Sequence, residues 1–387
     1  MPWKERNAMD LRYKFVLLAM EANSNMSRLC DSFGINRRTR YKWLERYKSD
    51  GVAGLLEQSR RPLSSPNTTS LDAVFEIVKL RNLKPTWGAK KIKAYLERHS
   101  LIEIPSRVTV ERILEKSGLI ERKRRRRTKA YNPEHLIIPE KPNDVWTVDF
   151  KGWWKTKDKN RVEPLTIRDE FSRFIIDIKG MPTTQQKLVK STFRDAFERY
   201  GLPKYIRSDN GVPFVSPHGL SGLTQLSAWW VKLGVHPNRT KPASPEQNGA
   251  HERMHRDMKL ELQKHAGKDL HHQQELFDVW RKEFNEERPH EALNMKVPAD
   301  VYERSQRKYD PSEPEYDYPC NFETRKVNSN AEVSWKDKKL YVSKALVGEY
   351  IGIEKINEDK LRIYFCDYPL CTVDSISKAT GDRIYTT

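Results

Sequence analysis

The chain has 387 residues, enough for two to four domains, and a formal net charge of +18 at pH 7. The first 130 residues contain 30 basic and 14 acidic side chains, so most of the excess positive charge lies in the N-terminal third and predicts a segment that binds a polyanion. No apolar run can span a bilayer, and no glycine-rich phosphate loop of the P-loop type occurs, which argues against a membrane partner and against ATP. The start lacks an apolar signal core and the four cysteines form no CxxC pair, which together fit a reduced cytoplasmic setting without a zinc site.

The first helical segment has the pattern of a helix-turn-helix. Residues 8–22 are typical of a helix, and apolar residues at positions i, i+3, i+4 and i+7 give 26–33 one apolar face before a glycine. Residues 37–48 predict a second helix whose outer face is almost entirely cationic. This order predicts a DNA-binding domain at 1–60, with an ordinary helical hairpin as the alternative. The side chains predicted to contact DNA are Arg37, Arg38, Arg40, Lys42 and Arg46.

A second helical unit is predicted at 70–120. One helix covers 71–82, another begins after a Thr-Trp-Gly sequence, and a third begins at Ser106 with an apolar face and basic residues outside. The pattern favours a second helix-turn-helix of winged or three-helix type, and a plain three-helix bundle fits nearly as well. The outer residues predicted to bind DNA are Arg107 and Arg112.

A basic linker is predicted at 121–139. It contains six consecutive basic residues at 122–127, and such blocks are usually solvated. Between two segments that handle DNA, the block can also follow a phosphate backbone, and Arg124 and Arg125 are the predicted contacts.

From residue 140 to 303 the pattern changes to α/β. Three strands are followed by a helix, a strand and further helices, which is the order of the ribonuclease-H-like fold. The predicted strands are 145–150, 162–169, 173–179 and 204–208, and the predicted helices are 184–199, 221–233, 246–265 and 272–287. A polar, proline-rich spacer follows, and short strands at close spacing predict a small β-barrel at 320–387.

Three carboxylates stand out in this α/β region. Asp149 lies inside an apolar strand, Asp209 ends another strand before a turn, and Glu252 lies in the first turns of a helix. Each alone is ordinary, because aspartates often cap turns and helical glutamates are usually solvated. Three carboxylates converging at strand ends and on a helix provide the oxygen ligands that two Mg²⁺ ions need for phosphodiester chemistry.

The sequences around these acids resemble the DDE transposases and retroviral integrases, in particular the family of insertion sequence 481. The resemblance covers essentially the whole chain and is carried by Trp146–Asp149, Arg207–Gly211, Pro245–Arg253 and Asn285–Leu293. It implies that the catalytic and metal-binding residues are Asp149, Asp209 and Glu252, with two Mg²⁺ ions as cofactor and Mn²⁺ as a possible substitute. Glu252 is favoured over nearby Glu246 because it follows the Asn-Gly turn and precedes a basic helix. The spacing from Asp209 to Glu252 is longer than is common in integrases, which fits a small insertion around 216–222.

The resemblance also implies a function. The chain is expected to bind the terminal inverted repeats of an insertion sequence, cleave the ends, and join the 3′-OH to target DNA. Its partners would be double-stranded DNA and further copies of itself, as a dimer or higher, at the bacterial nucleoid in the cytoplasm. Arg256 and Lys259 follow Glu252 on one helix face and are predicted to hold the terminal phosphates, although a solvated basic face fits equally well. Two alternatives are a sequence-specific DNA-binding regulator with an inactive ribonuclease-H-like core and a nuclease acting on RNA–DNA hybrids.

Overall fold

The computed structural model describes residues 7–57, 68–120, 137–216, 220–240, 249–313, 315–335, 338–357 and 360–374. It divides into two compact units, 1–68 and 69–387, and each is described by itself. Among the described residues, no helix is both long enough and apolar enough to cross a membrane.

The first unit is a small bundle of helices around one apolar core. Its helices are α1 (Ala8–Ala19), α2 (Met26–Phe33) and α3 (Arg37–Asp50). Gly34 ends α2 in the left-handed conformation, and Asn36 caps α3 through its side chain, so a three-residue turn joins the two helices. Trp43 of α3 packs into the core with residues of α1 and α2. The turn and the packing are those expected of a helix-turn-helix.

The second unit begins with three helices packed around Trp87. They are α4 (Leu71–Leu83), α5 (Ala89–His99) and α6 (Arg107–Lys116). Trp87 is fully buried among apolar residues from all three helices, which fixes the angle between them. Ser106 caps α6 through its hydroxyl, as the sequence suggested for the start of that helix.

A six-stranded sheet forms the centre of the second unit. Its strands are β1 (Val145–Phe150), β2 (Trp154–Lys155), β3 (Arg161–Asp169), β4 (Ile175–Met181), β5 (Tyr205–Ser208) and β6 (His236–Arg239). The order is β2-β3-β1-β5-β6, with β4 paired to β3. Strand β3 is antiparallel to β1 and β4, whereas β1, β5 and β6 are parallel.

Helices cover both faces of this sheet. They are α7 (Gln186–Tyr200), α8 (Gln225–Lys232), α9 (Gly249–Leu262) and α10 (Leu270–Glu286). Trp146 and Val148 of β1 pack with α7 and α8, whereas α9 and α10 pack against the other face. Because side chains alternate along a strand, Thr147 and Asp149 point to the face covered by α9.

The predicted α/β elements are present, with shifts at their ends. The helix predicted for 246–265 is α9, followed by a 3₁₀ turn at Gln263–His265; residues 241–248 lie outside the described residues. Strands β2 and β6 were not predicted. Strand β6 reads His-Pro-Asn-Arg, with residues that disfavour strands, and it forms at the edge of the sheet beside β5.

A strand-rich region follows, as predicted. Its strands are β7 (Glu323–Lys326), β8 (Glu332–Trp335), β9 (Lys338–Tyr341), β10 (Tyr350–Lys355), β11 (Lys360–Phe365) and β12 (Tyr368–Asp374). The order β12-β11-β10-β7 gives one antiparallel sheet, and β8 pairs with β9. The two sheets share an apolar core with Ala228 and Val231 of α8, while Trp229 and Trp230 of the same helix belong to the core of the central sheet. Helix α8 therefore lies between two cores.

Candidate active site

Asp149 and Asp209 lie side by side at the ends of two parallel strands. In the pairing of β1 with β5, Val145 lies opposite Tyr205 and Thr147 opposite Arg207. Asp149 and Asp209 each follow the last paired residue of their strand by two positions, and the charge of Asp209 acts on Asp149, so both acids lie at the same edge of the sheet. The two acids are 60 positions apart in the sequence, and every paired residue of β1 and β5 is separated from its partner by the same 60 positions.

Asp149 is the more buried of the two, and its ionisation is disfavoured. Burial raises its pKa from 3.8 to about 7, and the negative charges of Asp209 and Glu252 add to the rise. The backbone N–H of Phe150 and the charge of Lys151 act in the opposite direction. Asp209 and Glu252 therefore both lie close enough to Asp149 to disfavour its charge.

Asp209 is exposed and belongs to a tight turn. Its Oδ1 accepts a hydrogen bond from the backbone N–H of Gly211 at 3.1 Å. A Cβ at Gly211 would stand 3.1 Å from the Oδ2 of Asp209, tighter than ordinary contact. The Asp-Asn-Gly sequence thus keeps the carboxylate folded close against the turn.

Glu252 lies in the first turn of α9 and is exposed. The helix buries His251, Met254, His255 and Met258 against the sheet, so Glu252 lies at the exposed flank of a firmly packed turn. Arg256 and Lys259 are exposed on the same side of the helix as Glu252.

A buried polar network that the sequence analysis missed joins α9 to the strand of Asp149. The Oγ1 of Thr166, on β3, lies 2.6 Å from the Nε2 atoms of both His251 and His255 and donates to the carbonyl oxygen of Asp149 at 3.0 Å. The Nδ1 of His251 lies 2.9 Å from the Oγ1 of Thr147. The Nδ1 of His255 lies 3.6 Å from the Oδ2 of Asp149. Three elements distant in sequence are tied together behind the acids.

The histidines of this network are neutral. Burial lowers the pKa of His255 to about 3, with further contributions from Lys151 and Arg168. Burial and the neighbouring His255 also lower the pKa of His251 far below its ordinary value. A neutral imidazole offers one donor and one acceptor, so both rings can donate from Nε2 to Thr166 while the threonine donates to Asp149.

The carboxylates suit a divalent cation. Among the residues that the structure describes, no three His, Cys, Asp or Glu side chains stand close enough to enclose an ion. Burial is the main cause of the raised pKa of Asp149, but a hard cation would relieve the added repulsion from Asp209 and Glu252, and carboxylate oxygens are its preferred ligands. The donor set therefore fits Mg²⁺ or Mn²⁺.

Comparisons with known proteins match the region that contains these residues. Two models of the integrase core domain match residues 139–245 and 233–298. A helix-turn-helix domain matches 11–62, and a homeodomain-like domain matches 39–114. An uncharacterised protein of insertion element IS407 from Burkholderia multivorans is 29% identical over 58% of this chain and 78% of its own length. Another, of insertion element IS476 from Xanthomonas euvesicatoria, is 26% identical over 68% of this chain and 74% of its own length. Residues 139–298 therefore carry an integrase core domain.

More distant relatives of this chain are viral. The Gag-Pol polyprotein of koala retrovirus is 30% identical over 34% of this chain and 8% of the polyprotein. The magnesium-bound catalytic core domain of HTLV-2 integrase covers 42% of this chain at 18% identity with a TM-score of 0.34, and 99% of the viral chain is matched. The intasome of simian T-cell lymphotropic virus gives 12% identity and a TM-score of 0.36 over 77% of this chain and 96% of that chain. The assignment rests on the family models and the insertion-element relatives, and membership in the family of insertion sequence 481 stays a prediction.

The predicted DNA contacts of this chain differ in accessibility. Arg37 and Arg38 are exposed, whereas Arg40, Lys42 and Arg46 are half-buried, and contact of all five with DNA stays a prediction. Arg40 stacks over Tyr41, and Lys42 and Arg46 lie over the ring of Trp43 at 4.5 and 5.4 Å, because long basic side chains cover neighbouring aromatic surface. The other predicted contacts that are exposed are Arg107, Arg112, Arg256 and Lys259. Arg124 and Arg125, with the basic run of the predicted linker, lie outside the described residues.

Proposed function

We propose that this chain is a DDE transposase that binds the terminal repeats of an insertion sequence, cleaves the ends, and joins the freed 3′-OH to target DNA. The main support is that β1 and β5 carry Asp149 and Asp209 at one edge of the sheet and that the charges of Asp209 and Glu252 add to the effect of burial on the pKa of Asp149. Two helical units precede the core, which fits an enzyme that must find a defined DNA end.

In this proposal Asp149, Asp209 and Glu252 hold two Mg²⁺ ions, with Mn²⁺ as a substitute. Bound Mg²⁺ supplies Lewis-acid activation of the attacking oxygen and charge stabilisation of the leaving oxygen. The chain itself supplies position: β1 and β5 carry the two aspartates at one edge of the sheet, and the buried histidines hold the helix of Glu252 against it. Preorganised groups of this kind lower the barrier because they need no rearrangement during the reaction.

The exposed cations next to the acids have a binding role in the proposal. Arg256 and Lys259 lie on the face of α9 that carries Glu252, where phosphates of a DNA end would be drawn by their charge. At these acids, water would first attack the phosphodiester at the end of the element and free its 3′-OH. Target DNA would then bind at the same site, and the 3′-OH would attack it. No covalent link between protein and DNA is needed. Assembly as a dimer or higher on two ends belongs to the same proposal.

The experiment that tests this function is cleavage of a labelled duplex carrying the end of the native element. We expect nicking at the end in Mg²⁺, none in EDTA, and loss of nicking without loss of end binding in Asp149→Asn and Glu252→Gln. Glu246→Gln is the matched control and should cleave normally. Tight end binding without cleavage by the unaltered chain, in Mg²⁺ and in Mn²⁺, would instead favour the DNA-binding regulator. Normal cleavage by Asp149→Asn would overturn the assignment of the triad.

A further inference from the structure

The helices α4–α6 contact the core through charged side chains of opposite sign. Lys84, at the end of α4, forms an ion pair with Glu283 of α10 at 2.5 Å, with 27% and 21% of the two side chains exposed. Arg98 of α5 donates from two nitrogens to both carboxylate oxygens of Asp300, at 2.6 and 3.0 Å. A bidentate pair of this kind fixes orientation as well as distance.

Helix α5 also contacts the helix that carries Glu252. The hydroxyl of Thr86, just before α5, donates to Glu261 of α9 at 2.5 Å. Lys91 is half-buried there, and its pKa is lowered to about 8, chiefly by burial and then by the charge of Arg288, while Asp257 and Glu261 act in the opposite direction. Lys91 thus lies over the acidic flank of α9.

Arg288 completes that part of the contact from within the core. It is almost fully buried and donates to Asp257 at 2.5 Å and to Glu261 at 3.3 Å. The acids of α9 are therefore shared between a buried arginine of the core and the basic side of α5. Ion pairs at such a surface are individually weak, but several that share partners define one docked arrangement.

The docked arrangement brings α6 near the active-site helix. Lys90 of α5 forms an ion pair with Glu291, just beyond α10. Lys90 chiefly, and then Arg107 and Arg253, lower the pKa of Glu291, so the first residue of α6 and the residue after Glu252 both lie near this carboxylate. Arg107 and Arg253 are both exposed. Exposed basic side chains of α6 and α9 therefore lie on one continuous surface of the same chain.

We propose that the α4–α6 unit docks on the core of its own chain so that one DNA duplex contacts Arg107 and Arg112 of α6 and Arg253 of α9 together. The docked unit then delivers the end that α6 holds to the acids of the same chain. The inference rests on the proposed transposase function. It adds that the chain whose α6 binds a DNA end is also the chain whose acids cleave that end. Lys84 and Glu283 are positioning residues in this arrangement, because they touch each other and not the DNA.

The test is a charge exchange at the pair formed by Lys84 and Glu283, with end binding and end cleavage measured separately. We expect Lys84→Glu and Glu283→Lys each to slow cleavage of bound ends at least tenfold while the Kd for the end changes less than threefold. The double exchange restores opposite charges and should return cleavage to within threefold of the unaltered rate. Lys79→Glu, which reverses a cation paired with Glu76 on α4 itself, is the matched control and should cleave normally.

A second measurement distinguishes docking within a chain from docking between chains. Carbodiimide links an amine to a carboxylate in contact, so it should join Lys90 to Glu291 in complexes assembled on DNA from an equal mixture of heavy- and light-isotope chains. We expect linked peptides that are wholly heavy or wholly light. The inference would be overturned if half of the linked peptides were mixed, or if no link formed. It would also be overturned if the single charge exchanges cleaved at the normal rate. Failure of the unaltered chain to cleave would count against the proposed function, while the cross-link would still report on docking.

Discussion

Replacing Asp149 with asparagine should stabilise the metal-free protein, although the same change is expected to abolish cleavage. Burial first, and the charge of Asp209 next, raise the pKa of Asp149 from 3.8 to about 7. Since a tenfold change in an ionisation equilibrium corresponds to about 1.4 kcal/mol, ionising Asp149 in the folded state costs about 4 kcal/mol more than in the unfolded chain. Asparagine has nearly the same shape and no charge to desolvate.

The sign of the pH dependence follows from this pKa. Below pH 3.8 the carboxyl is protonated in both states and the penalty is absent. Between about pH 4 and pH 7 the unfolded chain loses the proton while the folded chain keeps it, so stability falls as the pH rises. Above about pH 7 the penalty is complete. Because about a fifth of the side chain is exposed and its surroundings relax, we expect a gain of roughly 1–4 kcal/mol for Asp149→Asn at pH 8, shrinking towards pH 4.

Thermal unfolding in EDTA at pH 4.5, 6 and 8 measures this difference. Added Mg²⁺ should then raise the melting temperature of the unaltered protein and leave that of Asp149→Asn nearly unchanged, because a ligand stabilises only the state that binds it. Asp158→Asn is a control of opposite sign, since the hydroxyl of Thr156 holds the pKa of Asp158 below its ordinary value. An Asp149→Asn protein that is less stable than the parent at pH 8, or a difference that does not shrink at low pH, would refute the reasoning.

Three further outcomes are expected. Thr166→Val removes the hydroxyl that both Nε2 atoms face, so it should lower stability by about 1–3 kcal/mol in chemical unfolding and slow cleavage, whereas an unchanged unfolding midpoint would show that the network carries little energy. Gly211→Ala places a Cβ against the Asp209 carboxylate and should lower cleavage in Mg²⁺ more than it lowers the melting temperature; equal losses would point to general misfolding. Lys259→Glu should weaken end binding and flatten its salt dependence in a titration, and an unchanged slope would exclude a phosphate contact there.

Much of the catalytic region could be predicted because its signals are local. The alternation of apolar residues around Asp149 and the turn after Asp209 each specify an element by themselves, and the spacing of 60 residues matches the register of β1 with β5. The helix of Glu252 is likewise visible as a basic segment after an Asn-Gly turn. Local patterns of this kind predict elements and leave open which side chains meet.

The parts that were missed depend on contacts between distant segments. His251 and His255 are spaced i, i+4 and lie on the same side of α9 as the buried methionines, and this was the available signal. Their partner Thr166 lies 85 and 89 residues earlier, on a strand that any β-forming residue could occupy. The docking of α5 joins residues about 200 positions apart, and exposed lysines and glutamates give no pattern that tells which of them will pair.

The position of α8 between two apolar cores limits how this protein can be shortened. The sequence suggests that a catalytic fragment could end near residue 303, before the strand-rich region. Such a fragment would leave the Ala228 and Val231 side of α8 facing water and would remove Tyr309, which packs on Phe197 and Trp229. We therefore expect this fragment to aggregate or to unfold at lower temperature than the full chain. The C-terminal strands would then be needed for the stability of the catalytic region, because they cover apolar side chains of α8.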